Sequence, residues 1–248
     1  MSSMQPAWVL SRKNYGDSGL LLELLTAEGG RCGAIARGAF RRKSGGSLAS
    51  LLQPFHPLLV RLAGRGELKT LAAAESPTAA CSLRGDALLS GLYLNELLIR
   101  LLPRFDPCPS VFVSYGEAIE SLSAASGEIA LRRFELSLLT ELGYRIDWWV
   151  DVNHDVIEDR VDYLYEPGQG FVPGSLSLPP SQTDRRVPGS AIRLIGEWLD
   201  GSVSLQKAEQ LMLKDVTRAA LAQLTQGRGL NSRDIFRALR RTKAVGSD

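Results

Sequence analysis

The hydrophobic period of this chain changes near residue 77. Before that point apolar residues come in short runs broken by Gly and Pro; after it they recur every three or four positions. Ala7 to Leu10, Gly19 to Leu25 and Cys32 to Arg37 read as strands, the last two joined by the Ala27-Glu28-Gly29-Gly30 turn of a hairpin. Leu51 to Leu62 is a further apolar run, in which Pro54 and Pro57 fit only a strand edge or a strand start. Ala63-Gly64-Arg65-Gly66 supplies another tight turn, and Leu68 to Ala74 is the last strand. The leucine content alone would permit helices there, but the Gly and Pro spacing argues against them. Five short strands joined by turns predict a small barrel such as an OB-fold.

From residue 77 the period is helical. Leu83 to Leu102 carries a wide apolar stripe and is stopped by Pro103; Ser110 to Leu122 follows. Glu128 to Leu142 is the strongest helix, with Gly143 placed as its C-terminal cap. Residues 145–187 fit neither period. Trp148, Trp149, Tyr163, Tyr165 and Phe171 are set there among acids and prolines, which predicts an irregular excursion with a short hairpin packed by its aromatics. Pro188 to Leu199, Ser204 to Leu224 and Asn231 to Thr242 are the last helices, with Asn231 or Ser232 as an N-cap. The expected class is therefore α+β, β then α: an OB-fold barrel over residues 1–78 and an all-helical domain over residues 79–248, with the excursion at 145–187 inside it.

Charge sharpens this picture. The net charge is only +2, but residues 1–76 hold 10 Lys/Arg against 5 Asp/Glu, residues 146–184 hold 1 against 8, and residues 185–248 hold 12 against 6. Two basic blocks thus enclose an acidic one, a pattern suited to a polyanionic partner. The densest basic stretch is Arg37-Gly38-Ala39-Phe40-Arg41-Arg42-Lys43, followed by Ser44-Gly45-Gly46. No carboxylate is near it in sequence, and a basic, glycine-rich loop on a sheet is a natural binder of nucleic acid.

The chemistry of an enzyme is harder to find. His56 and His154 are the only histidines, and neither has a Cys or His at ligand spacing. No Walker loop, dinucleotide fingerprint or Gly-x-Ser-x-Gly elbow occurs. The acids of 151–166 lack the ordered spacing of a calcium loop, although a metal-dependent nuclease there is a weak alternative. Cys32, Cys81 and Cys108 are far apart, which suggests neither a disulfide framework nor a zinc knuckle, and no apolar run is long enough to span a bilayer. A cytoplasmic, non-enzymatic protein without a cofactor is expected.

Several of these stretches together resemble the RecO family of bacterial recombination mediators. The similarity runs through Val9-Leu10, Tyr15-Gly16-Asp17-Ser18, Leu25-Thr26, Gly29-Gly30-Arg31, Ala36-Arg37-Gly38-Ala39, Arg42-Lys43-Ser44 and Leu52-Gln53-Pro54-Phe55. It continues in Gly91-Leu92-Tyr93-Leu94-Asn95-Glu96-Leu97-Leu98, in Leu131-Arg132-Arg133-Phe134-Glu135-Leu136 with Gly143-Tyr144, and in Ser232-Arg233 with Phe236. The resemblance implies an OB-fold followed by a helical domain. It implies binding of single- and double-stranded DNA, annealing of complementary strands, and action with RecR to load RecA onto strands coated by single-strand-binding protein, in association with the nucleoid. Some members hold zinc with four cysteines after the Gly-Tyr; residues 145–187 contain none here, so no zinc is expected, with packing around Trp148 and Trp149 in its place. The competing reading is a protein-interaction adaptor whose basic loop is incidental.

On this reading Arg12, Lys13, Arg37, Arg41, Arg42, Lys43, Arg65 and Lys69 are expected to contact phosphates. Arg233, Arg237, Arg240, Arg241 and Lys243 form a second basic block, which the helix dipole alone would also favour at a helix C-terminus. The acidic, Phe-ending tail that the resemblance implies for single-strand-binding protein needs an apolar pocket and a guanidinium. Arg132, Leu136 and Leu139, at i, i+4 and i+7, are the expected contacts.

Overall fold

The computed structural model describes residues 3–43, 46–78, 82–124, 127–174, 186–226, 230 and 232. Five of its first seven strands close a barrel: β1 Gln5–Tyr15, β2 Gly19–Thr26, β3 Gly30–Ala36, β6 Pro57–Ala63 and β7 Leu68–Glu75, in the order β1-β2-β3-β7-β6. Between β3 and β6 lie the two-residue strands β4 Arg42–Lys43 and β5 Gly46–Ser47 and the single-turn helix α1 Leu48–Leu51. Neighbours in the barrel are antiparallel except β3 and β7, which run parallel with Gly33 beside Leu68 and Ile35 beside Thr70. This is the five-stranded OB arrangement. Alternate residues point inward, so Leu20, Leu22 and Leu24 of β2 meet Cys32, Ala34 and Ala36 of β3 in the core, where Val9, Leu58 and Val60 join them. Burial on a period of two is what makes these leucines strand residues.

Two expectations about the barrel are corrected. The first strand does not end at Leu10 but continues to Tyr15, with its register slipping between Val9 and Ser11. Beyond the slip it pairs only with β2 and is largely exposed, so it carries no hydrophobic signature. The apolar run from Leu51 is not one strand. Ser47 Oγ accepts the backbone N–H of Ser50 and starts α1, and the strand begins only at Pro57. Ala39, Ala49 and Leu52 add their side chains to the barrel core.

The helices follow closely: α2 Gly85–Leu101, α3 Pro109–Ser123 and α4 Gly127–Glu141. The connection between α2 and α3 packs on the barrel. Phe105 N–H donates to Arg31 O at 2.9 Å, Arg31 Nε–H to Leu102 O at 2.9 Å, and Glu23 pairs with both Arg31 and Arg104. Gly30, at φ +65°, is needed here, because a Cβ would lie 1.9 Å from Asp106 O.

By compactness the chain forms two units. One is Met1–Phe134, rejoined by Leu230 and Ser232; the other is Glu135–Arg228. The switch from strands to helices between Glu75 and Gly85 is thus not where compactness breaks. In the second unit the excursion contains the expected hairpin, β8 Asp162–Glu166 with β9 Gly170–Pro173, and β10 Val187–Pro188 pairs with β8. Helices α5 Gly189–Leu199 and α6 Lys207–Leu224 follow. Phe171, fully buried, has Trp148 and Tyr165 at ring-centroid distances of 5.5 and 5.4 Å. Trp149 is partly exposed, against Gly196. Among the described residues no group of three or more His, Cys, Asp or Glu side chains is placed to hold a metal ion. No helix among the described residues is long and apolar enough to cross a membrane.

Candidate nucleic-acid interface

The end of the barrel where β1 turns into β2 and β3 leads to α1 is open. A cleft of about 1310 Å³ lies there, lined by the Gly16–Ser18 turn, by Arg37, Gly38 and Arg41, by α1 and by residues 71–74 of β7. The parallel pairing of β3 with β7 brings these pieces together, since both strands run into the cleft. Gly38, at φ +61°, turns the chain sharply, and Arg41 N–H donates back to Gly38 O at 3.0 Å. The loop is pinned at the peptide between Ala39 and Phe40. Ala49 N–H donates to Ala39 O at 2.8 Å and Phe40 N–H to Ser18 O at 3.2 Å. Ala39 is therefore buried while Arg37, Phe40 and Arg41 face outward.

Two unpaired cations line this cleft. Elsewhere Arg31 and Arg104 share Glu23, Arg100 pairs with Glu96 and Arg193 with Asp159. Arg37 and Arg41 are exposed and make no ion pair with any described residue. Two unneutralised guanidiniums on an open cleft are suited to phosphates, which they hold by paired N–H donors. A second concavity, of about 650 Å³ in the Glu135–Arg228 unit, has the opposite character. Among the described residues it is floored by Val187 and Val216 and rimmed by Glu166, Glu209 and Asp215 with Arg186.

The other expected phosphate contacts are dispersed. Arg42 and Lys43 form β4, paired with Ser47 and Gly46, so their backbone continues the cleft loop. Arg12 turns toward α1, where its Nη1–H donates to Ala49 O at 2.8 Å and to Leu52 O at 3.4 Å. It caps α1 as well as adding charge. Lys13 is exposed on the part of β1 that extends past the barrel. Lys69 lies beside Ala34, three residues before the level of Arg37 and thus roughly 10 Å along the strand. Its ammonium sits 5.0 Å from the centroid of the Phe105 ring and donates to Gly64 O at 3.3 Å. Arg65 is exposed in the β6–β7 turn. The basic block from Arg233 to Lys243 lies outside the described residues. The cleft-lining turn Gly16–Ser18 and His56 escaped the sequence reading, because they carry no local cluster of charge; the Tyr-Gly-Asp-Ser turn between two apolar runs was the available signal.

Helix α4 carries the expected docking residues for the tail of single-strand-binding protein. The helix does place Arg132, Leu136 and Leu139 on one side, but that side points inward. Arg132 is 3% exposed, Leu136 9% and Leu139 0%. Spacing fixes which residues share a face, not which face is covered.

Comparison with known proteins gives one answer along the whole chain. Residues 1–78 match the family described as Recombination protein O N terminal, and residues 83–234 match Recombination protein O C terminal. A DNA repair protein RecO of Methylococcus capsulatus is 40% identical over 234 residues, covering 94% of this chain and 92% of its own. One from Halorhodospira halophila is 37% identical over 240 residues, covering 95% and 97%, and one from Shigella boydii 37% over 240 residues, covering 96% and 95%. With a closed barrel at its start, helices after it and both family matches in sequence order, the chain belongs to the recombination protein O (RecO) family.

Proposed function

We propose that this protein acts in DNA repair by recombination, as a non-enzymatic mediator that binds single- and double-stranded DNA in the barrel cleft. It anneals complementary strands and, with RecR, helps load RecA onto strands coated by single-strand-binding protein. Its relatives bear the name DNA repair protein, and its barrel is of a kind that binds oligonucleotides. The observation that carries the reading is the pair Arg37 and Arg41, exposed on an open cleft and in no ion pair with any described residue. Such groups grip the backbone without reading sequence, so both strand types are bound, and paired strands can form while each remains held.

Binding titrations across a salt series test this. Each phosphate neutralised contributes about 0.7 to the slope of log affinity against log salt on a single strand and about 0.9 on a duplex. Arg37→Ala/Arg41→Ala is expected to flatten the slope by about 1.4 and about 1.8 respectively. The same variant should slow annealing of complementary oligonucleotides coated with single-strand-binding protein. Unchanged slopes would move the DNA site off this cleft, and salt-independent binding would favour the adaptor reading.

A further inference from the structure

One ring lines this cleft and a second stands beside it, next in sequence to a lining arginine, and the phosphate contacts give a reason for neither. Tyr15 is 49% exposed at the end of β1 and lines the cleft; Phe40 is 46% exposed, one residue before Arg41. They flank the same turn, because Tyr15 precedes Gly16–Ser18 in the chain and Phe40 N–H is bonded to Ser18 O. Neither ring is left out by slack in the backbone. Tyr15 pairs with Gly19 across the β1–β2 ladder, and Phe40 is held outward by the burial of Ala39 before it. Exposed rings on a fixed backbone, one of them between Arg37 and Arg41 in sequence, match the composition of a strand-binding surface.

We propose that Tyr15 and Phe40 are base-stacking platforms that make the cleft grip unpaired bases in preference to a duplex, an inference that rests on the cleft being the DNA site. The reasoning is geometric. In a duplex both faces of nearly every base are covered by its neighbours, so a protein ring finds no face to lie on. In a single strand the bases can splay, and each has a π-face that a ring can cover whatever the sequence. Arg37 and Arg41 then supply attraction common to both strand types and sensitive to salt. Tyr15 and Phe40 supply attraction for the single strand alone, with no counterions released. This division of labour suits annealing, since a base pair that forms withdraws its bases from the rings and the product is held less tightly than the reactants.

The experiment uses the full chain and two probes, an oligo-dT of about 16 nucleotides, the upper site size of one OB-fold, and a duplex of the same length. Tyr15→Ala and Phe40→Ala are each expected to weaken strand binding by roughly 5- to 100-fold more than duplex binding, at an unaltered salt slope. Tyr15→Phe and Phe40→Trp, which keep a ring, should restore the preference. Equal losses on strand and duplex, or a preference that the Ala variants leave intact, would overturn the proposal while the cleft remained the DNA site. A salt slope unmoved by Arg37→Ala/Arg41→Ala would instead remove the cleft as the DNA site, and this proposal with it.

Discussion

Cys32 shows how the barrel interior treats a titratable group. It sits in β3 among Leu22, Leu24 and Val60, and burial pushes its thiol up from an ordinary value of 9.0 to about 11, with the nearby charge of Glu23 adding to the effect. The folded protein therefore keeps its proton to higher pH than the unfolded chain does. Below pH 9 the advantage is fully present, and it is lost as pH rises through the window from 9 to 11. Tyr165, whose hydroxyl burial pushes up from 10.0 to about 12, adds a similar loss at higher pH. Between pH 9 and pH 10 the thiol dominates. Urea unfolding over that interval should show a loss on the order of 1 kcal/mol that Cys32→Ala lacks. The same side chain should resist alkylation until the protein unfolds, because the thiolate is the nucleophile and so little of it is present. A thiol that reacts in the folded protein as fast as a free cysteine would contradict the burial of β3.

At the scale of elements, one buried amide ties strands to helices. Asn95 of α2 donates from Nδ2 to Leu10 O at 2.8 Å, and its Oδ1 accepts the Tyr115 hydroxyl of α3 at 2.6 Å. The Tyr115 ring in turn lies edge-on to Trp8 of β1 and to Phe134 of α4, at 5.4 and 6.1 Å. Leu10 is the residue at which the β1 register slips, so its carbonyl is one the ladder does not satisfy in the regular way. Asn95→Leu removes the donor to a buried carbonyl and an acceptor of a buried hydroxyl together and should cost about 2–5 kcal/mol in urea unfolding, whereas Tyr115→Phe should cost about 1–2. A loss under about 0.5 kcal/mol for Asn95→Leu would mean that water replaces the amide. None of this was legible in the sequence, where Asn95 is a polar interruption of an apolar helix. What was legible followed from periodicity. The barrel strands alternate, the helices carry stripes, and both signals come from burial. The stretch Ser11–Tyr15 was lost because it pairs along one edge and faces water, and α1 was lost because one turn has no period to detect. At the site, Arg37 and Arg41 were legible because no carboxylate stands near them in sequence, and among the described residues none makes an ion pair with them. Arg12 and Lys69 acquire carbonyl and ring partners that only the tertiary structure supplies.

For the whole molecule the open matter is whether the two basic blocks act on one DNA. The first is the cleft loop; the second runs from Arg233 to Lys243, and between them residues 146–184 carry a net charge of −7. Self-repulsion between separate basic blocks is a standing cost that an acidic segment relieves, so segregation alone does not show that both blocks contact DNA. Salt dependence can separate the cases, because counterion release adds over contacts made at the same time. Removing residues 240–248 takes away Arg240, Arg241 and Lys243. It leaves Ser232 in place, whose N–H and hydroxyl both donate to Glu96 of α2, at 2.9 and 2.7 Å, while Glu96 also pairs with Arg100 at 2.6 Å. The truncation thus spares the described attachment of the chain's end and should leave the melting temperature unchanged. If both blocks hold one duplex, truncation flattens the salt slope by up to about 2.7, and combining it with Arg37→Ala/Arg41→Ala flattens it by the sum of the two effects. If the second block serves only its own helix dipole, the slope stays as it was and the melting temperature falls instead. Flattening by each change alone but by no more than the larger of them together would mean that the blocks take DNA in alternation, and that strands are brought together by two separate grips rather than one continuous track.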